Sequence, residues 1–139
     1  MARKTKTATT TCPCGRGLPY AECCRPAHDG EAPATAEALM RSRYSAFALD
    51  DQDYVLSSWH PKTRPAQVEP DSHLRWVGLD ILESTGGGMF DAEGVVEFRA
   101  HYRDHGKPGD MVERSRFVRL DGRWVYWGPI LADGSLNHA

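Results

Sequence analysis

The cysteines constrain this chain more than any other feature. All four lie near the N-terminal end of the sequence, in the order C-x-C, eight residues, C-C. Thiols this close, set among glycine, proline and arginine, are typical of a tetrahedral site with four cysteine ligands, and such ligands suit zinc. Because a closed shell of four ligands leaves no open position for a reaction, the sequence predicts a structural zinc site. The predicted ligands are Cys12, Cys14, Cys23 and Cys24.

Other roles for these cysteines stay open at this stage. Disulfide bonds are one, although the adjacent Cys23 and Cys24 cannot easily bond to each other and no secretory signal is recognisable. An iron–sulfur cluster also takes four cysteines, but the spacing is unfamiliar for one. His28, close after Cys24, is a candidate to replace one thiolate. Reduced cysteines without a secretory segment predict a cytoplasmic protein, and no apolar run approaches the roughly 18 residues of a membrane span.

The composition indicates one domain with a small appendage, since the chain has 139 residues and 40% hydrophobic content. Its net charge is −2, but the first 30 residues hold five basic and two acidic side chains. This basic excess favours an acidic or nucleic-acid partner, or it balances the negative zinc–thiolate cluster, which is the interpretation we favour. The chain is predicted to divide into a flexible basic tail (1–11), a zinc knuckle (12–30), an α+β domain (34–130) and a C-terminal tail (131–139).

The first part of the α+β domain has the hydrophobic period of a helix. Apolar residues from Ala36 to Phe47 recur at the spacing of one helix face, and Thr35 is a suitable N-cap. A helix is therefore predicted from there to about residue 49. Asp50 or Asp51 is predicted to cap a second, shorter helix.

The second part of the domain has the period of strands. Residues 60–71 contain three prolines and are predicted to be an irregular connection. Residues 105–110 are predicted to form a turn because they contain glycine and proline, and Asp121-Gly122 predicts a tight hairpin. The predicted strands are 74–84, 96–102, 111–120 and one that begins at residue 124. Helices followed by about four antiparallel strands are the pattern of an α+β fold.

The cysteine segment CPCGRGLPYAECC, residues 12–24, resembles the SEC-C motif, which is named after the C-terminal tail of the SecA translocation ATPase. Arg16 stands where that motif usually has serine. In SecA the motif mediates partner and ribosome contact. The resemblance therefore implies a zinc knuckle that docks a protein or a ribosome-associated partner.

Most of the remaining chain resembles the YchJ-like family of small bacterial proteins, which combine this motif with a domain of the nuclear-transport-factor-two type. The segments that carry the resemblance are LMRSRYSAF (39–47), SSWHPKTRP (57–65), RWVGLDIL (75–82), VVEFRAHY (95–102) and ERSRFVRLDGRWVY (113–126). The resemblance implies N-terminal helices packed on a curved antiparallel sheet, a cystatin-like cone with a pocket between the two. Folds of this kind often pair through the convex face of the sheet, so a homodimer is also compatible with the sequence.

Two charged residues are candidates for the wall of that pocket. Strand alternation places Glu113 on the same face as Ser115 and Phe117, and Arg43 lies on the apolar stripe of the first helix. Because a buried carboxylate needs a partner, we expect Arg43 and Glu113 to form an inward ion pair. Such a pair either fixes the helix against the sheet, the interpretation we favour, or supplies a binding or acid–base group.

His60 and Glu113 are the candidate catalytic residues, since a histidine titrates near neutral pH and a carboxylate in a pocket can act as an acid or base. Aromatic side chains complete the pocket, although such residues are more often simply part of a core. The predicted pocket residues are Arg43, Tyr44, Trp59, Trp76, Tyr102, Glu113 and Trp124.

The sequence favours a non-catalytic, zinc-binding interaction protein. The knuckle is expected to dock a protein partner, and the domain is expected to bind a partner or a small ligand. The alternative is a small pocket enzyme of the hydrolase, dehydratase or isomerase type. Nucleic-acid binding is disfavoured because the knuckle offers few basic and aromatic side chains. Replacing Cys14 by serine is expected to abolish zinc retention and to leave the domain folded.

Overall fold

A computed structural model describes residues 10–68 and 73–130 of the chain. The predicted C-terminal tail and most of the predicted N-terminal tail lie outside these ranges. A single turn of 3-10 helix, Tyr20–Glu22, precedes the second cysteine pair. The helices are α1 (Arg25–His28), α2 (Ala36–Ala48) and α3 (Gln52–Ser57), and the strands are β1 (Leu74–Gly86), β2 (Glu93–Asp104), β3 (Lys107–Leu120) and β4 (Arg123–Pro129).

The two longer helices begin where their capping residues stand. The Thr35 side chain accepts a hydrogen bond from the backbone N–H of Ala38, and the Asp51 side chain accepts one from that of Tyr54. Each bond satisfies one of the free N–H groups at a helix start. The N-cap prediction for α2 is confirmed, and of the two candidates for α3 it is Asp51 that caps.

The strands form one open antiparallel sheet in the order β1-β2-β3-β4. The α+β class and the four-stranded sheet are thus as predicted. The turn predicted over residues 105–110 is too long. Only His105 and Gly106 form it, both with positive φ as a two-residue hairpin requires, and β3 already pairs with β2 at Lys107. Pro108 is tolerated because it stands near the start of β3, where β4 does not yet pair with that strand.

The core lies between α2 and the inner face of the sheet. Helix α2 contacts β1, β2 and β4, and it buries Leu39, Met40 and Tyr44. The largest fully buried side chains on the sheet are Phe117 and Trp124. This packing gives α2 one face toward the sheet and leaves other faces for the cysteine segment.

The cysteine segment is part of the same core and is not a separate module. Cys12, Cys14 and Cys24 are at most 4% exposed, and they belong to one continuous cluster with Leu39 and Leu79. A Cβ atom on Gly15 would lie 3.2 Å from the backbone oxygen of Leu79, which shows how closely the knuckle approaches β1.

Candidate metal centre and adjoining cavity

The four cysteine sulfurs converge on one point. Their Sγ atoms all lie within 4.8 Å of one another, and those of Cys14 and Cys23 are 3.5 Å apart. Tetrahedral coordination at a Zn–S distance of about 2.3 Å separates the sulfurs by about 3.8 Å. Gly15 and Gly17 both adopt positive φ between the pairs, as the turn around such a site requires. The residues therefore fit a metal ion bound by four thiolates.

The protonation of the cluster also favours a bound cation. Hydrogen bonds from Cys14 and Cys24 stabilise the Cys12 thiolate and hold its pKa far below the usual range. The contact with Cys12 raises the pKa of Cys14 to about 11, and contacts with Cys12 and Cys14 together with burial raise the pKa of Cys24. Without a cation, each further thiolate buried beside the first is disfavoured. A metal ion allows all four to be thiolates, and its binding releases their protons.

Ser45 of α2 contacts the cluster directly. Its hydroxyl lies 3.4 Å from Sγ of Cys12 and donates to Sγ of Cys24 at 3.3 Å, and the residue is fully buried. A hydroxyl donor beside two thiolates orients them and shares their negative charge. The metal centre is therefore built from the knuckle together with α2.

Replacing Ser45 by alanine is expected to weaken metal binding by about tenfold or more, the range seen when groups that orient metal ligands are lost. The measurement is zinc affinity by competition with a chelating dye at fixed pH. Ser57→Ala is the matched control, because the Ser57 hydroxyl lies on the exposed side of α3 and bonds only its own helix. Equal affinities for both variants would show that the Ser45 contact has no effect on the metal.

Further hydrogen bonds fasten the knuckle to α2. Arg41 donates from Nη1 to the backbone oxygen of Cys14 at 2.8 Å. His28 Nε2 lies 2.8 Å from the backbone oxygen of Ser42, which can only accept, so Nε2 carries the proton and Nδ1 accepts from the Tyr20 hydroxyl at 2.6 Å. Both ring nitrogens of His28 are thus engaged, so the histidine serves to hold the knuckle. Among the described residues, the metal cluster consists of the four cysteines.

A cavity of about 250 Å³ lies on another face of α2, between the helix and the sheet. Its wall is mostly apolar, with Phe98, Ala100 and Met111 from β2 and β3. Five of the seven predicted pocket residues line it: Arg43, Tyr44, Trp59, Trp76 and Glu113. Burial raises the pKa of Tyr44 to about 12, which keeps its hydroxyl neutral.

The predicted ion pair between Arg43 and Glu113 is not formed. Arg43 donates from Nη1 to the backbone oxygen of Val55 at 2.8 Å and to the Ser58 hydroxyl at 2.7 Å. The phenol ring of Tyr126 stands between the two charges, with the guanidinium 4.3 Å from the ring centre. The arginine is therefore bound to α3 and to an aromatic face, away from the carboxylate.

Glu113 takes its hydrogen bonds from two hydroxyls. Its Oε2 accepts from Ser115 at 2.6 Å and from Tyr126 at 2.8 Å. Burial and the nearby Glu113 carboxylate raise the pKa of Tyr126, so its hydroxyl keeps its proton and remains a donor. Of the two predicted catalytic residues, Glu113 alone lies on the cavity wall, and one of its carboxylate oxygens already accepts from two donors.

Three predicted site residues do not line the cavity. His60 lies outside it, with its ring 4.8 Å from that of Trp127 and its Nδ1 accepting from the backbone N–H of Lys62. Burial, with Lys62 and Arg64 nearby, lowers the pKa of His60.

Tyr102 packs over Gly109, so closely that a Cβ atom on Gly109 would lie 2.8 Å from the Tyr102 ring. Trp124 is a core residue whose Nε1 donates to the backbone oxygen of Ala34 at 3.2 Å.

Sequence reasoning missed Ser45. The spacing of Ser45 on α2 carries no signal for a metal contact, because it depends on how the knuckle folds back onto the helix. Tyr126, an aromatic residue that the sequence offers for an apolar pocket, does line the cavity.

Comparisons with known proteins agree with this architecture. A family model described as the middle NTF2-like domain of YchJ matches residues 35–129, and a model of the SEC-C motif matches residues 9–26. A UPF0225 protein of Streptomyces coelicolor is 53% identical over 119 residues, which cover 85% of this chain and 93% of that protein.

Two solved structures are similar. The solution structure of a SEC-C-motif-containing protein from Rhodopseudomonas palustris has a TM-score of 0.75 and 34% identity, covering 86% of this chain and 97% of that one. The crystal structure of a SEC-C-motif-containing protein from Psychrobacter arcticus has a TM-score of 0.71 and 25% identity, with 96% and 87% covered.

The fold and the cysteine cluster define the class of SEC-C-motif proteins with an NTF2-like domain. The chain belongs to the YchJ-like UPF0225 family. The resemblance read from the sequence is thereby confirmed. Within the part of the chain that the structure describes, no helix is both long enough and apolar enough to cross a membrane.

Proposed function

We propose that this is a non-catalytic zinc-binding protein whose metal centre holds α2 in place over a small-ligand cavity. The observation that carries the proposal is the position of α2 between the two sites. Ser45 on this helix contacts two cysteine sulfurs, and Arg43, only two residues away, lines the cavity. Whatever fixes the helix to the knuckle also fixes the cavity wall.

The metal is proposed to be zinc because four thiolates in a closed tetrahedral set are its usual structural site. The cluster is largely buried, with Cys23 the most accessible of the four sulfur residues. Arg16 donates to the Cys23 sulfur at 3.9 Å and offsets part of the negative charge of the cluster. In this role the metal contributes folding energy and takes no part in a reaction.

A binding role for the cavity is supported over a catalytic one. His60 lies outside the cavity, and Glu113 Oε2 is held by Ser115 and Tyr126. The cavity combines a mostly apolar lining with a few polar groups, as ligand sites generally do.

The test uses the zinc-loaded protein and two aromatic probes of similar size, phenylacetate and 2-phenylethanol. At least one is expected to shift backbone amide signals of residues around the cavity in an NMR titration. Ala100→Leu, which fills the cavity from the fully buried Ala100, is expected to abolish those shifts. The matched surface variant Ala66→Leu is expected to keep them, since Ala66 is exposed and does not line the cavity. Absence of shifts with both probes would overturn the proposal.

Docking of a protein or ribosome-associated partner through the knuckle stays a prediction, as do the cytoplasmic location and the homodimer. The outer surface of the knuckle supports docking to an acidic partner, because Arg16, Leu18 and Arg25 are all exposed there.

A further inference from the structure

The most unusual group in the cavity is the guanidinium of Arg43. The residue is 3% exposed, yet it has no carboxylate partner in the part of the chain that the structure describes. A buried charge is costly unless it is paired and hydrogen-bonded. Glu113 acts on this charge only through space, since the Glu113 hydrogen bonds come from Ser115 and Tyr126. The charge is therefore only partly compensated within the described residues.

Of the three guanidinium nitrogens of Arg43, one donates hydrogen bonds to described residues and two do not. Both hydrogen bonds of Arg43 come from Nη1, to Val55 and Ser58. Nε and Nη2 donate to none of the residues in the described ranges. In an arginine these two nitrogens share one edge of the planar group, the edge that binds a carboxylate with two parallel hydrogen bonds. Arg43 thus lines the cavity with its bidentate edge unused.

The guanidinium is held in a fixed position. Its carbon lies 4.3 Å from the ring centre of Tyr126 and 5.0 Å from that of Trp59. These aromatic faces and the two bonds from Nη1 immobilise the group before any ligand arrives, which lowers the entropic cost of binding. Two polar atoms of other residues on this wall, Trp59 Nε1 and the Tyr44 hydroxyl oxygen, are buried without a hydrogen-bond partner among the described residues.

The rest of the cavity is suited to an apolar body of limited size. Phe98, Ala100 and Met111 form its floor on the sheet, and its volume is about 250 Å³. A cavity of about 150 Å³ holds benzene. One aromatic ring with a short side chain therefore fits.

We propose that the cavity binds a small aromatic carboxylate, with the carboxylate on the Nε–Nη2 edge of Arg43 and the ring against Phe98, Ala100 and Met111. This inference rests on the proposed ligand-binding function and names the class of ligand. Charge-assisted bidentate hydrogen bonds from a fixed guanidinium distinguish an anionic ligand from a neutral one of the same shape.

The experiment compares the affinities of phenylacetate and 2-phenylethanol for the zinc-loaded protein by calorimetry and NMR titration. Phenylacetate is expected to bind about 10- to 100-fold more tightly, the range that charge-assisted hydrogen bonds provide. Arg43→Met is expected to reduce the two affinities to about the same value. The matched control is Arg75→Met, since Arg75 is exposed on β1 and does not line the cavity, and it is expected to keep the preference for the anion.

The outcomes separate the two proposals. Equal binding of both probes to the unmodified protein would overturn the carboxylate assignment and leave the ligand-binding function standing. Binding of neither probe would overturn both. The comparison of probes on the unmodified protein does not depend on the folding of any variant. Arg43→Lys provides a second readout, because it keeps the charge but loses the bidentate edge and is expected to retain only part of the preference.

Discussion

Replacing Cys14 by serine is expected to release the metal and to destabilise the whole α+β domain along with the knuckle. The Cys14 side chain is fully buried in the cluster that also contains Leu39, Met40 and Leu79. Three remaining thiols around a buried hydroxyl lose the metal, and with it the energy that holds the knuckle on α2. The expected loss is at least about 3 kcal/mol, which lowers Tm by about 10 °C for a chain of this size. The sequence alone predicts that the domain stays folded in this variant, whereas the shared core predicts that it is destabilised.

Thermal unfolding, followed by near-ultraviolet circular dichroism of the tryptophans, measures this effect together with zinc content. Leu18→Ser is the matched control, because Leu18 belongs to the same knuckle but is 41% exposed. It is expected to keep its zinc and to shift Tm little, since exposed substitutions usually change stability by less than about 0.5 kcal/mol. A Cys14→Ser protein that lacks zinc but melts at the unmodified temperature would show that the knuckle and the domain are independent.

Gly94→Ala is expected to destabilise the protein by about 3 kcal/mol, at the upper end of the range for overpacked sites. A Cβ atom on Gly94 would lie 2.5 Å from Cα of Gly87 and 3.2 Å from the Ala36 side chain. The obstructing atoms of Gly87 are backbone, and the Gly87 oxygen accepts from the N–H of Ala36 at the start of α2. Relieving the clash therefore displaces the helix that carries both sites.

Gly78→Ala is the matched control for this substitution. Gly78 also lies in the sheet, and a Cβ atom there would first meet the imidazole of His101, at 3.3 Å. That ring belongs to a partly exposed side chain that contacts Asp80 at 2.7 Å, and a small shift of the ring relieves the contact with the new Cβ atom, so the expected loss is below about 1 kcal/mol. Urea denaturation of the two variants measures the difference. Equal stabilities would contradict the close packing of the loop after β1 against α2.

Local patterns were sufficient to predict most of the elements. The apolar spacing of α2 and the cap at Thr35 depend on neighbouring residues only, so they could be read directly. The same is true of the Asp121-Gly122 hairpin, whose residues both have positive φ. The predicted turn at residues 105–110 is too long because proline and glycine, here Pro108 and Gly109, are common in turns. Pairing with Arg103 and Tyr102 of β2 keeps these two residues in β3.

A site could be predicted from the sequence to the extent that its residues lie close together along the chain. The metal ligands lie within one short segment and were predicted from their spacing alone, although the packing of that segment on α2 depends on Ser45 and His28 and was not foreseen. The failed ion pair has a similar cause. Alternation placed Glu113 on the inner face, but the register of β3 and β4 shifts between Arg116 and Phe117, and alternation cannot show which side chain then reaches the carboxylate.

The metal and the α+β domain are expected to form one folding unit. The most direct measurement is a chelator titration of the unmodified protein, in which zinc release is recorded together with hydrogen exchange of the β3 amides. About one zinc per chain is expected, with metal loss and loss of protection in the sheet occurring in a single transition. A zinc-free protein whose β3 amides keep their full protection would show that the domain folds independently of the metal.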